Sequence, residues 1–211
     1  MHEVCGLRIR HGLVLITAII SLYSVSSRRP CKYIRGHDSS VKLDCHSRNI
    51  AHVPNNISSD VTELDLNHNK MVVIRTNDFE RVQQLRVLIL SNNSINLLEK
   101  RCFSQLKHLE RLVLNDNNIS YFTPDDFVGL MSLRVLTISG LPLTSYPTQF
   151  VAYTPELRVL SLSAIGDATI PAEYARLSQL EVLDFYEDPR VELTKITAVL
   201  FENIRDSNDT L

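Results

Sequence analysis

Apolar and polar positions follow one phrase that recurs along most of the chain. Leu64-Asp-Leu66, Leu88-Ile-Leu90, Leu112-Val-Leu114, Leu136-Thr-Ile138 and Leu160-Ser-Leu162 each set two aliphatic side chains two residues apart. That spacing puts both on one face of an extended segment, so each phrase predicts a short strand with one face turned inward. An apolar residue opens each phrase, at Val61, Leu85, Leu109, Leu133 and Leu157, a fixed step of 24 residues, and a sixth opening follows 23 residues later at Leu180. Beyond each strand an apolar residue (Ile74, Leu98, Phe122, Tyr146, Ile170) and then an aromatic one (Phe79, Phe103, Phe127, Phe150, Tyr174) return to the same interior. A unit of this size cannot bury its apolar side alone; its neighbours close it.

Written out, the units match L-x-x-L-x-L-x-x-N-x-L, the pattern of a leucine-rich repeat. The expected fold is therefore an α/β solenoid over residues 61–211, with about six units, a parallel β-sheet on the concave face, and loops and short helical turns on the convex face. Position nine carries the second signature. A buried Asn there donates and accepts along the stack and satisfies backbone groups where the chain leaves the strand. Asn69, Asn93 and Asn117 hold it; Leu141 and Ile165 then replace it, and Asp188 stands there in the sixth unit. Loss of the Asn predicts regular coils to about residue 130 and less regular ones afterwards.

Stacked strands of this kind present a recognition surface rather than a catalytic cleft. Its ligand-binding candidates are Glu63, Asp65, Val87, Ile89, Arg111, Val113, Asn115, Val135, Thr137, Val159, Ser161, Asp184 and Tyr186, the strand residues pointing away from the core. The valines among them suit an apolar ligand, although Val also favours strands for its own packing. Six strands at about 4.8 Å spacing and roughly 15 Å of length give a strip of about 400 Å². A standard interface takes about 800 Å² from each partner, so an edge or further coils must join in.

Composition narrows the function further. A net charge of −2 over 211 residues, 44% of them apolar, supplies no basic stripe, which makes nucleic acid an unlikely partner. The histidines lack metal-ligand spacing, and no Gly-rich phosphate loop or nucleophilic triad is written, so neither an enzyme, a metal nor a cofactor is expected. His68 is the histidine placed on the concave face. Arg8, Arg10 and His11 precede an apolar run from Leu13 to Val25 and small residues after it, the layout of a cleaved signal peptide over residues 1–26. That run is short of the roughly 20 residues that span a bilayer, and no later segment spans one.

Secretion permits disulfides. Cys31 and Cys45 fall in residues 27–60, just before the first unit, where a tied hairpin serves as the lid of the open N-terminal coil. Cys102 is the odd cysteine. It takes the position that Asp78 and Asp126 hold in adjacent units, which predicts an outward, convex-side thiol, either free or paired with a cysteine in another chain or in a part of the protein outside this sequence. Glycosylation sequons stand at Asn56, Asn92, Asn118 and Asn208. The long sixth unit and the lack of a cysteine-rich closing lid point to a fragment, or to residues 189–211 folding as a polar cap.

The paired-cysteine lid, Val53-Pro54, the 24-residue coils with Phe at each convex turn, and the longer unit Val191 to Ile204 together resemble the N-terminal part of a Toll-like receptor ectodomain. The resemblance implies an extracellular module that binds a protein or microbial ligand, pairs with itself or a related receptor, and signals only through domains outside this sequence. The alternative is a secreted structural or adhesive repeat protein.

Overall fold

The computed structural model describes residues 30–166 and 168–186. Within them the chain winds as a solenoid. The strands are β1 (Lys32–Arg35), β2 (Val41–Asp44), β3 (Glu63–Asp65), β4 (Val73–Ile74), β5 (Val87–Ile89), β6 (Leu97–Leu98), β7 (Arg111–Val113), β8 (Val135–Ile138), β9 (Val159–Ser163) and β10 (Val182–Tyr186). Eight of them form one sheet in the order β1-β2-β3-β5-β7-β8-β9-β10, while β4 and β6 pair on their own. Every pair is parallel except the hairpin β1–β2. Short 3₁₀ turns at Pro124–Phe127 and Ala172–Arg176 lie on the far side of two coils.

Packing follows from the two-residue spacing. Leu64, Leu66, Leu88, Leu90, Leu112, Leu114, Leu136 and Leu160 are fully buried, and Ile138 and Leu162 nearly so. The convex aromatics stack beneath them, with ring centroids 5.9 Å apart for Phe79–Phe103, 5.7 Å for Phe127–Phe150 and 5.6 Å for Phe150–Tyr174. Burying such rings, each removing 150–250 Å² from water by a rough general figure, dominates the cohesion between coils.

Turn chemistry sets each strand's end. Asn93 Oδ1 accepts from the Met71 amide at 3.0 Å while its Nδ2 donates to the carbonyls of Leu66, Leu90 and Ser91. Asn117 repeats this arrangement one coil on, and Asn69 one coil back. The residue before each Asn lies in the left-handed region, with φ of 52° at His68, 52° at Asn92 and 54° at Asp116; Gly140 follows at 67°. Asn, Asp and Gly tolerate that conformation best. A Cβ at Gly140 would also run into the Asp116 carboxylate.

The N-terminal lid is itself a shortened coil. Leu43 pairs with Leu64, and the Arg48 amide, 21 residues before Asn69, bonds to that side chain, so the lid runs three residues short of the 24-residue step. Ser47 takes the left-handed position at φ 55°, and its amide bonds to the Asn67 carbonyl as that of His68 bonds to Ser91. A disulfide joins Cys31 to Cys45, and Cys45 occupies the inward site that Leu66 fills in the next coil.

Two expectations are corrected. The sheet does not lose regularity after residue 130: β8, β9 and β10 stay in register and are longer than β3, β5 and β7. Other groups serve the turns that lack Asn. Asn115 Oδ1 accepts from the Ser139 amide, Ser163 Oγ from the Gly140 amide, and the Tyr146 hydroxyl from the Ile165 amide. Nor does Cys102 face outward; it is 1% exposed and packs in the core. The Asp residues at its position also turn inward, because Asp78 and Asp126 accept the amides of Arg75 and Thr123 at 2.7 and 2.6 Å. In the cysteine's own coil the equivalent amide, that of Glu99, bonds to the Ile74 carbonyl instead, so an apolar side chain suffices there.

Candidate ligand-recognition face

The register sorts the outward strand residues into two columns across the sheet. One runs Lys42, Glu63, Val87, Arg111, Val135, Val159, Val182, and the other Asp44, Asp65, Ile89, Val113, Thr137, Ser161, Asp184. Pleating sends these side chains away from the buried leucines between them. Most are half-buried by their neighbours, while Arg111, Val182 and Asp184 are exposed.

Three chemical zones result. The N-terminal end is charged, with Lys42 Nζ 3.4 Å from Asp65 Oδ2 and Glu63 beside them. The middle is an apolar band of Val87, Ile89, Val113, Val135 and Val159, interrupted by Arg111. At the C-terminal end the Ser139 and Ser161 hydroxyls lie 3.2 Å apart, and Ser161 Oγ donates to Asp184 Oδ2 at 3.4 Å.

The candidates drawn from the sequence divide on this geometry. Ser161 is buried and its hydroxyl is spent on Ser139 and Asp184, so it shapes the face rather than meeting a ligand. Asn115 holds the Ser139 amide and plays the same supporting part. Thr137 Oγ1 and Asn67 Oδ1, by contrast, have no hydrogen-bond partner among the described residues. Tyr186 ends β10 opposite Ser163. His68 is not alone: the lid sets His46 edge-on against it, ring centroids 5.3 Å apart. Of the sequons, Asn56 and Asn118 are exposed and Asn92 is half-buried; Asn208 lies outside the described residues. So do the signal segment, Asp188 and the long stretch from Val191 to Ile204.

One feature of the flank went unread in the sequence. From the second unit on, the residue after each opening apolar position forms a charged column, Arg86, Glu110, Arg134, Arg158 and Glu181, whose spacing of 24 residues, 23 at the last step, is the signal that marks it. Glu110 lies 3.6 Å from Arg86 and 3.7 Å from Arg134, and Arg158 bonds to Glu181 at 2.6 Å. With His108, Ser132 and Glu156, the Arg86, Glu110 and Arg134 members of this column line a shallow polar groove of about 290 Å³. Among the described residues no cluster of three His, Cys, Asp or Glu side chains could hold a metal ion, and no helix is long and apolar enough to cross a membrane.

Comparison with known proteins agrees with this architecture. The family described as leucine rich repeat matches residues 59–118 and 83–143. Human leucine-rich repeat-containing protein 17 is 43% identical over 44 residues, which is 21% of this chain and 10% of that protein. Among solved structures, the crystal structure of a TLR13–ssRNA13 complex superposes with a TM-score of 0.61 at 25% identity, over 74% of this chain and 23% of that one. The chain thus spans only a small part of either relative. The fold is a leucine-rich repeat solenoid, with repeats like those of a Toll-like receptor ectodomain.

Proposed function

We propose that this chain is the recognition part of an extracellular, innate-immune receptor, holding a protein or microbial ligand on its concave face. The observation that carries the reading is the apolar band of Val87, Ile89, Val113, Val135, Val159 and Val182 on a sheet whose backbone groups are already paired. Such a band is rigid, and covering it costs little ordering entropy. The seven parallel strands widen the strip to about 500 Å², still below the roughly 800 Å² of a standard interface. A protein partner, including a second copy or a related receptor, therefore also engages a flank.

The TLR13 complex is with single-stranded RNA. On this chain Lys42 and Arg111 stand among Asp44, Glu63, Asp65 and Asp184, a balance that favours an apolar or protein ligand over a polyanion. The disulfide and the exposed sequons Asn56 and Asn118 support an extracellular site. A secreted adhesive protein is the second reading, favoured by the local likeness to leucine-rich repeat-containing protein 17.

The deciding experiment probes the secreted chain with a diacylated lipopeptide, a single-stranded RNA and an array of cell-surface ectodomains. Binding of the lipopeptide, lost in Val135→Asp/Val159→Asp with an unchanged melting temperature, supports the receptor reading. Binding to ectodomains alone supports the adhesive one. RNA binding that survives physiological salt overturns the charge argument.

A further inference from the structure

A strip of apolar side chains stands on the flank of the first three coils. Val73 pairs with Leu97 across β4–β6. The next coil continues the alternation without a strand, since Phe122 turns inward as Ile74 and Leu98 do, leaving Tyr121 outward. Leu97 is 48% and Tyr121 68% exposed, with Val72 at 45% beside them. Lone apolar residues on a surface are ordinary, but a column held at one position of successive coils is a patch that asks for a cover.

The cover is written into the same coil. Asn118-Ile119-Ser120 is a sequon ending one residue before Tyr121, and Asn118 is exposed. Its amide is pinned to the Ile95 carbonyl at 2.8 Å, so the side chain leaves the flank from a fixed point. In the preceding coils the same position carries Ser94 and Lys70, which leave that side of the strip polar and uncrowded. A pyranose ring presents one face of C–H groups and an edge of hydroxyls. It therefore lies against an aromatic or aliphatic surface while staying wetted at its rim.

We infer that an N-linked glycan on Asn118 lies over Val73, Leu97 and Tyr121 and shields them, which closes this flank to protein partners and leaves the opposite, charged flank open. This rests on the extracellular reading above. In the transfer, the side-chain amide nitrogen of Asn118, Nδ2, forms a bond to the anomeric carbon of an oligosaccharide carried on a polyprenyl pyrophosphate. The glycosyl–phosphate bond breaks, the amide gives up a proton, and the lipid pyrophosphate leaves.

The test is hydroxyl-radical footprinting of the chain secreted from a mammalian cell, with peptide mass spectrometry reporting both glycan occupancy and side-chain oxidation. Ser120→Ala removes the sequon and keeps Asn118; enzymatic removal of the glycan from folded wild type makes the same comparison with no substitution to disturb folding. Oxidation of Tyr121 is expected to rise several-fold in both, while that of Tyr33, whose hydroxyl accepts from the Ser58 amide of the separate Asn56 sequon, stays constant in Ser120→Ala. An occupied Asn118 with Tyr121 equally oxidised before and after removal overturns the shielding. An Asn118 found unmodified while Asn56 is occupied overturns it too and spares the extracellular reading; a chain with no glycan at any sequon overturns both.

Discussion

At the scale of single residues, neighbouring asparagines have opposite duties. Asn93 serves one amide and three carbonyls, whereas Asn92 contributes mainly a left-handed backbone that glycine also adopts. Asn93→Ala is expected to lower stability by about 3 kcal/mol, since several backbone groups lose their partner at once. Asn92→Gly should stay within about 0.5 kcal/mol, as surface changes do; urea denaturation compares the two. The 24-residue spacing made the Asn positions readable in advance. It misplaced Cys102, because Asp at the neighbouring equivalents reads as a solvated residue when those carboxylates in fact accept turn amides. Burial, reinforced by the nearby Asp126 charge, pushes the Cys102 thiol well above its usual range, so no thiolate forms near neutrality. Native protein should resist iodoacetamide at Cys102 and form no reductant-sensitive dimer through it. Cys102→Ser should cost about 1–3 kcal/mol by burying a hydroxyl, against a smaller loss for Cys102→Ala.

Elements depend on who satisfies their ends. The 3₁₀ turn Pro124–Phe127 starts where Asp126 accepts the Thr123 amide, and that carboxyl is buried. Burial raises its pKa above the ordinary 3.8, outweighing the hydrogen bonds from Thr123 that pull it down, and Asp78 is raised in the same way. The folded chain therefore binds these protons more tightly than the unfolded one. Their contribution to stability is complete below pH 3.8 and fades as pH rises through the raised values. Asp126→Asn keeps an oxygen acceptor and removes the charge. Relative to wild type, it should gain stability as pH climbs from 4 toward neutrality, as chemical denaturation across that range would show. Asp126→Ala, which leaves the amide without an acceptor, should lose about 0.5–2 kcal/mol near pH 4, a deficit that narrows toward neutrality as the buried wild-type carboxyl ionises. A difference between Asn variant and wild type that does not change with pH would mean the carboxyl keeps its ordinary affinity for protons. None of this was visible in the chain as letters, since an Asp reads alike whether solvated or capping.

Across the described residues the molecule is a stack in which each strand pairs with those of the neighbouring coils, and this explains which parts were legible. Inward strand residues and convex aromatics repeat, so period alone located them. The lid's shortened coil and the chain of hydroxyls around Ser161 break the period and depend on contacts between coils. Stability in such a stack approximates a sum of unit and nearest-neighbour terms, so damage should remain local. Phe150 is the sharpest place to test it, being fully buried and packed between Phe127 on one side and Tyr174 on the other. Phe150→Ala removes both contacts and should cost about 3–5 kcal/mol in the coils it joins. Native-state hydrogen exchange should then show faster exchange in β8 and β9. The amides of β3 and β5, separated from the cavity by the coil that carries β7, should keep their protection. Uniform acceleration through β3 and β5 would instead mean that the lid, the coils and the sheet open as one cooperative unit. In that case a ligand held on the apolar band would stabilise the entire solenoid rather than the coils it touches.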